Sequence, residues 1–484
     1  ARGDWAKCQG VNHYVLHVYL HQPDDRKPGF TAWFGTDFNR NNTWFSRAKS
    51  WVDYIRRSCA LLQQGHPVAD VAYFIGENTP KMTGEQPPAM PRGYDFDFIN
   101  AEVLMKATVG KDKRIQLPSG VSYAVLVLPS DKTMRPGVAS KIVDLMSQGA
   151  HVVGNAPSAS PSLEDYPRCD SLVSSYAQLM VSKGTNPGST SLLSPSSPLE
   201  QTLHALGWVE DCKTPAGFLY THRQEGDKHI YFVSNQSDKA QDAEVAFRVD
   251  GMQPELWDAV SGKRYAVSTC RAEGGRTIVP LHFEGSGSWF VIFRKPIAQQ
   301  EQDKDRLSDF QAQNRLSDFT KATLLQTVDK PWKVTFKPSY APAFESDFVQ
   351  LSDWTTNENP AIKYFSGTAV YENTFVCKNS LLKGNAQDVY LDLGEVKGMA
   401  TIRINDVELP TLWTAPYRQC ITPYLKKGKN KLEVEVVNCW WNRLVGDEQP
   451  GAKPVTWTTN KVVKENSKLM PSGLMGPVSL MSIK

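Results

Sequence analysis

The sequence predicts a multidomain fold in which α/β architecture gives way to all-β, and three observations predict it. At 484 residues the chain exceeds one ordinary domain and points to about three. Between residues 67 and 212, continuous apolar strands alternate with amphipathic helices, the pattern of a parallel sheet covered on both faces. From residue 213 onward the pattern changes to short strands separated by turn residues. The expected boundaries are a βα unit at 1–66, a flavodoxin-like α/β domain at 67–212, a small β-sandwich at 213–295, a linker at 296–330 and a second β-sandwich at 331–484.

The first unit opens with Gly10–Pro23, an apolar run that carries His13, His17 and His21. Its Val, Tyr and Leu content, set between a glycine and a proline, predicts a buried strand. A strand this apolar belongs inside a large sheet or barrel, yet no partner strand precedes it. The expectation is therefore a chain that begins near the end of a domain whose larger part lies outside it. A helix over 44–64 should follow: Trp44, Phe45, Ala48, Trp51, Val52, Ile55, Cys59 and Leu62 recur at three- and four-residue spacings. Thr43 stands where an N-cap is expected and Gly65 where a helix stops.

In the α/β block, Val68–Ile75, Tyr123–Leu128 and Ala150–Gly154 read as strands, and Phe96–Ala107 and Val138–Ser147 as helices. The small sandwich takes the short strands Gly217–Thr221, His229–Val233, Ala243–Val249, Glu255–Asp258, Arg264–Val267, Thr277–Leu281 and Ser288–Phe293. The charged, Gln-rich linker carries a duplicated pentamer, Arg306–Phe310 and Arg315–Phe319, and two copies are too few for a repeat architecture. Gly367–Val376, Val389–Leu393, Ala400–Asn405 and Asn430–Val437 are the expected strands of the last module.

Composition excludes several function classes. A formal charge of +3, with no basic stripe interleaved with aromatics, argues against nucleic acid as a partner. No apolar run is long enough to span a membrane. The eight cysteines are scattered with no C-x-x-C pair, so neither a structural zinc site nor a compact disulfide framework is expected. Thirteen tryptophans, 17 tyrosines and 31 prolines suit β-rich modules and also carbohydrate-handling surfaces, where flat rings stack on sugar faces.

The chemistry that the sequence offers is concentrated early. On a helix, histidines four apart sit about 6 Å apart and could share a metal. On a strand the same spacing covers roughly 13 Å and excludes it. The strand reading makes His13, His17 and His21 either donors to sugar hydroxyls or structural histidines satisfied within the fold, and not ligands of one metal. The loop Trp33–Trp44 follows, with Trp33, Asn39 and Trp44 as candidate sugar contacts, rings for the apolar face and amides for hydroxyls. Asn and Asp in such a loop also serve turn geometry. Glu77 and Asn78 end the first strand of the α/β domain, where ligands of such sheets bind, or else serve as a helix cap. Trp413, Tyr417, Trp440 and Trp441 form either a stacking platform or a core. Glycoside hydrolysis needs two carboxylates across the scissile bond. Within 1–66 only Asp24, Asp25 and Asp37 follow the strand, and all read as loop residues, so no catalytic pair is assigned.

Several phrases carry a resemblance. They are Gly10–Pro23 with 44–70; Tyr94-Asp95-Phe96-Asp97; Leu117-Pro118-x-Gly120-x-x-Tyr123; Tyr364–Tyr371; Leu412-Trp413-x-x-Pro416-Tyr417; 437–447; and 472–477. Together they resemble the C-terminal half of a glycoside hydrolase family 106 α-L-rhamnosidase. The resemblance implies that residues 1–66 hold the last βα unit of a truncated (β/α)8 barrel and that 331–484 is a jelly-roll-like, sugar-binding type of sandwich. It also implies inverting cleavage of terminal α-L-rhamnose from plant cell-wall glycans and a periplasmic or extracellular bacterial enzyme. A glutamate pair and a calcium ion near the sugar hydroxyls are implied too, on barrel strands outside this chain. A non-catalytic carbohydrate-binding protein and a β-galactosidase-like glycosidase are the alternative readings.

Overall fold

The computed structural model describes residues 2–31, 38–78, 87–182, 188–267, 269–296, 322–377 and 388–483. They divide into two units. The first holds the described residues of 1–12, 60–258 and 263–314, and the second holds those of 13–59, 259–262 and 315–484.

The first unit begins with α1 (Arg2–Cys8) and resumes in the last turn of α2 (Lys49–Leu62), which starts in the second. Gly65 ends that passage at φ +57°, and a Cβ there would lie 1.9 Å from the Gln224 carbonyl oxygen. A parallel sheet follows: β1 (Val71–Phe74), β2 (Phe96–Ile99), β3 (Val125–Val127) and β4 (His151–Val153), in the order β2-β1-β3-β4. That is the strand order of flavodoxin-like doubly wound sheets. Every residue of β1 and β3 is buried because alternate side chains enter different cores. Ala72, Phe74 and Leu126 meet Val138, Ile142 and Leu145 of α3 (Pro136–Ser147), together with Met180 of α4 (Arg168–Val181). Val71, Tyr73 and Val125 meet Leu199 and Leu203 of α5 (Leu199–Ala205) on the other side. Burial on both faces explains the unbroken apolar runs in the sequence.

The same unit then forms β5 (Phe218–Glu225), β6 (Lys228–Asn235), β7 (Gln241–Phe247), β8 (Met252–Trp257), β9 (Arg264–Ala266), β10 (Arg271–Glu273), β11 (Arg276–Phe283) and β12 (Ser288–Pro296). One antiparallel sheet runs β9-β8-β12-β6-β5 and ends on His66–Pro67. The other runs from Cys212–Lys213 through β7-β11-β10. Phe218 of β5 meets Phe283 of β11 at 5.0 Å, and Tyr231 of β6 meets Phe247 of β7 at 4.8 Å, so the two sheets share an aromatic core.

The second unit holds β13 (Thr323–Thr327), β14 (Trp332–Lys337), β15 (Phe344–Phe348), β16 (Thr368–Cys377), β17 (Asp388–Asp392), β18 (Met399–Ile404), β19 (Val407–Glu408), β20 (Arg418–Cys420), β21 (Gly428–Val437) and β22 (Ser479–Ile483). A six-stranded sheet, β15-β14-β16-β21-β18-β19, and a four-stranded sheet, β13-β22-β17-β20, contribute to one core. Val334, Tyr371, Ile402 and Val434 of the first join Leu391 and Leu480 of the second around the fully buried Trp354. The Trp354 indole N–H donates to the Tyr371 hydroxyl at 2.6 Å, which removes the cost of burying both polar groups. Helix α6 (Trp441–Asp447) follows β21.

The structure corrects three expectations. Gly10–Pro23 contains no strand: residues 11–22 have no regular secondary structure, and none of the described strands pairs with them. Apolar, β-branched composition favours extended backbone, but a strand needs a partner to close its hydrogen bonds. The helix expected over 44–64 starts at Lys49, after a single 3₁₀ turn at Phe45–Arg47; the Thr43 hydroxyl donates to the Asn438 carbonyl instead of capping it. The helix expected over Phe96–Ala107 is the strand β2 followed by one helical turn, Ala101–Leu104, capped by the Asn100 side chain, which accepts from the Val103 N–H at 3.0 Å.

Residues 1–66 also fall in both units. Trp440 Nε1 donates to the Asn41 carbonyl at 2.8 Å, and Arg47 pairs with Glu435 at 2.7 Å and Glu408 at 2.9 Å, tying the 39–47 stretch to the C-terminal module. Within the expected linker, Thr323–Thr327 is β13, and the pentamers at 306–319 lie outside the described residues.

Candidate functional site

Exposure alternates along residues 11–21, and His13, His17 and His21 all fall on the exposed side, with Val15 and Tyr19. That period of two is the mark of extended backbone. Three imidazoles on one face offer a row of hydrogen-bonding groups rather than a metal-ligand set. The segment is anchored through Tyr19, whose ring meets Phe38 at 6.5 Å and Phe45 at 6.3 Å, and the Phe38 N–H donates to the Val18 carbonyl at 3.3 Å.

Of the loop candidates, Trp44 is half-buried and packs edge-on against Trp51 at 6.1 Å and beside Phe38 at 5.9 Å. Asn39 is buried, and its Oδ1 accepts from the Asn41 N–H at 2.8 Å, the bond of a local turn. Both therefore shape the loop. Trp33 lies outside the described residues.

Between the histidines and that loop lies an arm, residues 22–31, built around buried Gln22. Gln22 Nε2 donates to the Asp24 carboxylate at 2.7 Å and the Arg26 carbonyl at 2.8 Å, while Oε1 accepts from the Phe30 N–H at 2.8 Å. Arg40 closes the arm from outside, reaching the Gln22 carbonyl at 3.0 Å, the Asp24 carbonyl at 3.1 Å and Asp25 at 3.2 Å. The Arg26 side chain, 2.8 Å from Asp24, holds that carboxyl well below the usual range. Asp24 thus belongs to an ion-paired scaffold, while Asp25, its side chain almost fully exposed, meets Arg40 at the surface. Among the described residues of the arm they leave no free carboxylate pair for general acid–base work. Nor do they fit a calcium ion, which takes several uncommitted oxygen donors. The three His, Cys, Asp or Glu side chains found close together among the described residues are Glu200, His204 and Glu210, and Glu210 is already paired with Arg276 at 2.6 Å.

The other sequence candidates are accounted for by packing. The Glu77 carboxylate accepts from the Arg135 N–H at 2.7 Å and pairs with the Arg135 guanidinium beside the start of α3; Asn78 accepts from the Thr133 hydroxyl at 3.3 Å. Trp440 is buried, Tyr417 packs on the core with its hydroxyl on the Gly398 carbonyl at 2.8 Å, and Trp413 meets Tyr54 at 5.1 Å. Trp441 donates to the Lys468 carbonyl at 2.9 Å. These rings do not assemble into one stacking platform.

Sequence reasoning missed two features. The first is the pairing of Pro28–Gly29 with Trp457–Thr458 as a two-residue parallel bridge, which has no local signature. The second is a buried ionic network in the first unit, where Asp70, Asp211, Arg114, Arg248 and His222 interlock. His222 Nδ1 lies 3.0 Å from Asp211 and its Nε2 3.0 Å from His229 Nδ1; burial, reinforced by His222, lowers His229 to about 4. Widely separated charges that meet only on folding leave no spacing to read.

The family model for alpha-L-rhamnosidase, glycoside hydrolase family 106, matches residues 1–270. The rhamnosidase from Novosphingobium sp. PP1Y superposes with a TM-score of 0.85 at 35% identity, over 99% of this chain and 45% of that one. A curated protein of Formosa agariphila, named "Putative beta-glucuronidase", is 26% identical over 99% of this chain and 61% of its own length. The chain thus spans less than two thirds of either relative. No helix among the described residues is long and apolar enough to cross a membrane. With more than half of its length matched by the family model, the chain belongs to glycoside hydrolase family 106, the alpha-L-rhamnosidases.

Proposed function

We propose that this chain works as the C-terminal part of a secreted or periplasmic α-L-rhamnosidase that removes terminal α-L-rhamnose from plant cell-wall glycans. One observation carries the reading: nearly the whole chain superposes on a solved rhamnosidase of more than twice its aligned length. On this reading residues 1–66 hold the last βα unit of a (β/α)8 barrel, the extended stretch 11–22 pairing with strands supplied from outside this chain, and 331–484 form a jelly-roll-like sandwich of sugar-binding type. The exposed His13, His17 and His21 wall the sugar pocket and donate to hydroxyls. The inverting carboxylate pair comes from residues outside this chain, in keeping with the ion-paired state of Asp24 and Asp25. The test assays this chain and the full gene product on aryl α-L-rhamnoside and aryl β-glucuronide. Rhamnoside cleavage by the full product alone is expected. Cleavage of the glucuronide alone defeats the substrate assignment.

A second reading, glycan capture without cleavage, is favoured by one feature. A cleft of about 610 Å³ on the second unit is lined by Lys330 and Lys429 together with Lys333, paired with Glu345, and Lys431, paired with Glu433, and its excess of cations suits an anionic glycan. Calorimetric titration with an oligogalacturonate and a neutral oligosaccharide of equal length decides it. Tight binding of the anionic chain, with no hydrolysis by the full product, would establish capture as the function.

A further inference from the structure

The C-terminal module grips the arm through a short relay. Asp447, at the end of α6, has a side chain with no solvent exposure and accepts four hydrogen bonds. One comes from Arg443 Nε at 3.0 Å, whose Nη2 also lies 2.9 Å from the same oxygen, and three come from the Val455 N–H at 3.0 Å, the Thr456 N–H at 2.8 Å and the Thr456 hydroxyl at 2.5 Å. One buried carboxylate therefore fixes residues 455–456 against the helix.

From that fixed point the next four residues take hold of the arm. The Trp457 N–H donates to the Lys27 carbonyl at 2.7 Å, and Trp457–Thr458 pair in parallel with Pro28–Gly29. The Thr31 hydroxyl lies 3.0 Å from that of Thr458, the Thr31 N–H donates to the Thr459 hydroxyl at 3.1 Å, and Asn460 Nδ2 donates to the Thr31 carbonyl at 2.7 Å. The Trp457 indole carries the Arg26 guanidinium 3.7 Å from its ring centroid and the edge of Phe30 at 5.3 Å. Gly29 lets the arm close: a Cβ there would lie 1.9 Å from Gln22 Oε1 at φ +95°. The contacts hold both the backbone and the side chains of the arm, and residue 22 at its base adjoins His21.

We propose that Trp457, set in place by Asp447, is a positioning residue for glycan recognition: it fixes the Gln22–Thr31 arm, and with it His21, in the shape the sugar meets. The inference rests on the reading of His21 and the arm as pocket wall. Trp457 acts on how the glycan fits, because nothing in the relay reaches a carboxylate free to take part in bond cleavage.

The test uses the full gene product with Trp457→Ala, Trp457→Phe and Asp447→Asn. Hydrogen exchange in residues 22–31 and the kinetics of aryl α-L-rhamnoside cleavage are the two readouts. Trp457→Ala should speed exchange in the arm by about tenfold or more. It should raise KM by about fivefold or more while kcat changes by less than about twofold. Trp457→Phe, which keeps a ring for Arg26 and Phe30, should restore both, and Asp447→Asn should reproduce the exchange change from outside the arm. Unchanged exchange in the arm overturns the proposal, and so does a loss confined to kcat. A wild-type product inert on the rhamnoside defeats the functional reading alone, since exchange still reports on the grip.

Discussion

Replacing Arg248 with methionine should be among the most damaging single changes in the first unit. The Arg248 guanidinium lies 3.0 and 3.1 Å from the two Asp70 oxygens, 3.3 Å from Asp211 and 2.8 Å from the Val209 carbonyl. Asp70 and Asp211 are 1% and 2% exposed, so neither can turn to water when its partner goes. Removing one partner of a buried pair costs ~3–5 kcal/mol. Asp70 keeps Arg114 at 3.2 Å, and Asp211 keeps His222 and Tyr231, which places the expected loss near the lower end of that range. The control is Arg271→Met, which removes a shorter ion pair to Glu244 at 2.6 Å; both partners there are about half exposed, and such pairs contribute ~0–1 kcal/mol. Urea unfolding at pH 7, followed by circular dichroism, compares the two. Burial alone would raise the Asp211 carboxyl, but His222, Arg248 and Tyr231 hold it below the usual range. A depressed folded value gives stability that is present above pH ~4 and lost as pH falls through it, so the Arg248→Met deficit should shrink below pH ~4. Equal losses for the two variants at pH 7 would refute the argument that burial decides the worth of these pairs.

Three further outcomes follow from the same geometry. Burial raises the Asp95 carboxyl to about 7, so ionising it in the folded state costs stability progressively as pH rises from ~4 to ~7. Asp95→Asn keeps an acceptor for the Phe96 N–H at 2.8 Å and should stabilise the unit by about 1–3 kcal/mol more at pH 8 than at pH 4.5; a pH-independent effect in urea melts contradicts this. Trp440→Ala empties a buried site and orphans the Asn41 carbonyl, and should cost ~3–5 kcal/mol in denaturant titration, with Trp441→Ala costing under half as much. Gly65→Ala forces a Cβ to within 1.9 Å of the Gln224 carbonyl and should cost more than ~1 kcal/mol by calorimetry; a neutral result would mean that the turn relaxes freely.

What the sequence disclosed depended on where each segment finds its partners. Residues 71–74 and 125–127 read as buried strands because burial on both faces writes an unbroken apolar run, and residues 49–62 read as a helix because one face of it packs inward. Residues 11–21 show the limit of that logic. Valine, tyrosine and leucine at those positions record a preference for extended backbone, and the period-two exposure shows that the preference is obeyed, yet no ladder forms among the described residues. Phe96–Ile99 differs the other way, since four residues reading Phe-Asp-Phe-Ile are too few to fix a period and only their parallel pairing with β1 decides it. The site followed the same rule. His13, His17 and His21 stand out as candidates because three imidazoles in one apolar run are conspicuous in the chain itself. Asn39 and Trp44 were plausible sugar contacts by type, and their roles as turn former and packing ring depend on Asn41 and Trp51. Trp457 could not be found at all, because its significance lies in Lys27, Pro28 and Arg26, more than four hundred residues away in sequence. Residue type announces what a group can do, but whether it stands free to do it is set by distant neighbours. Asp24 and Asp25 make the same point: by type, two neighbouring carboxylates in a loop can serve as acid and base, and in three dimensions each lies beside an arginine, Arg26 and Arg40.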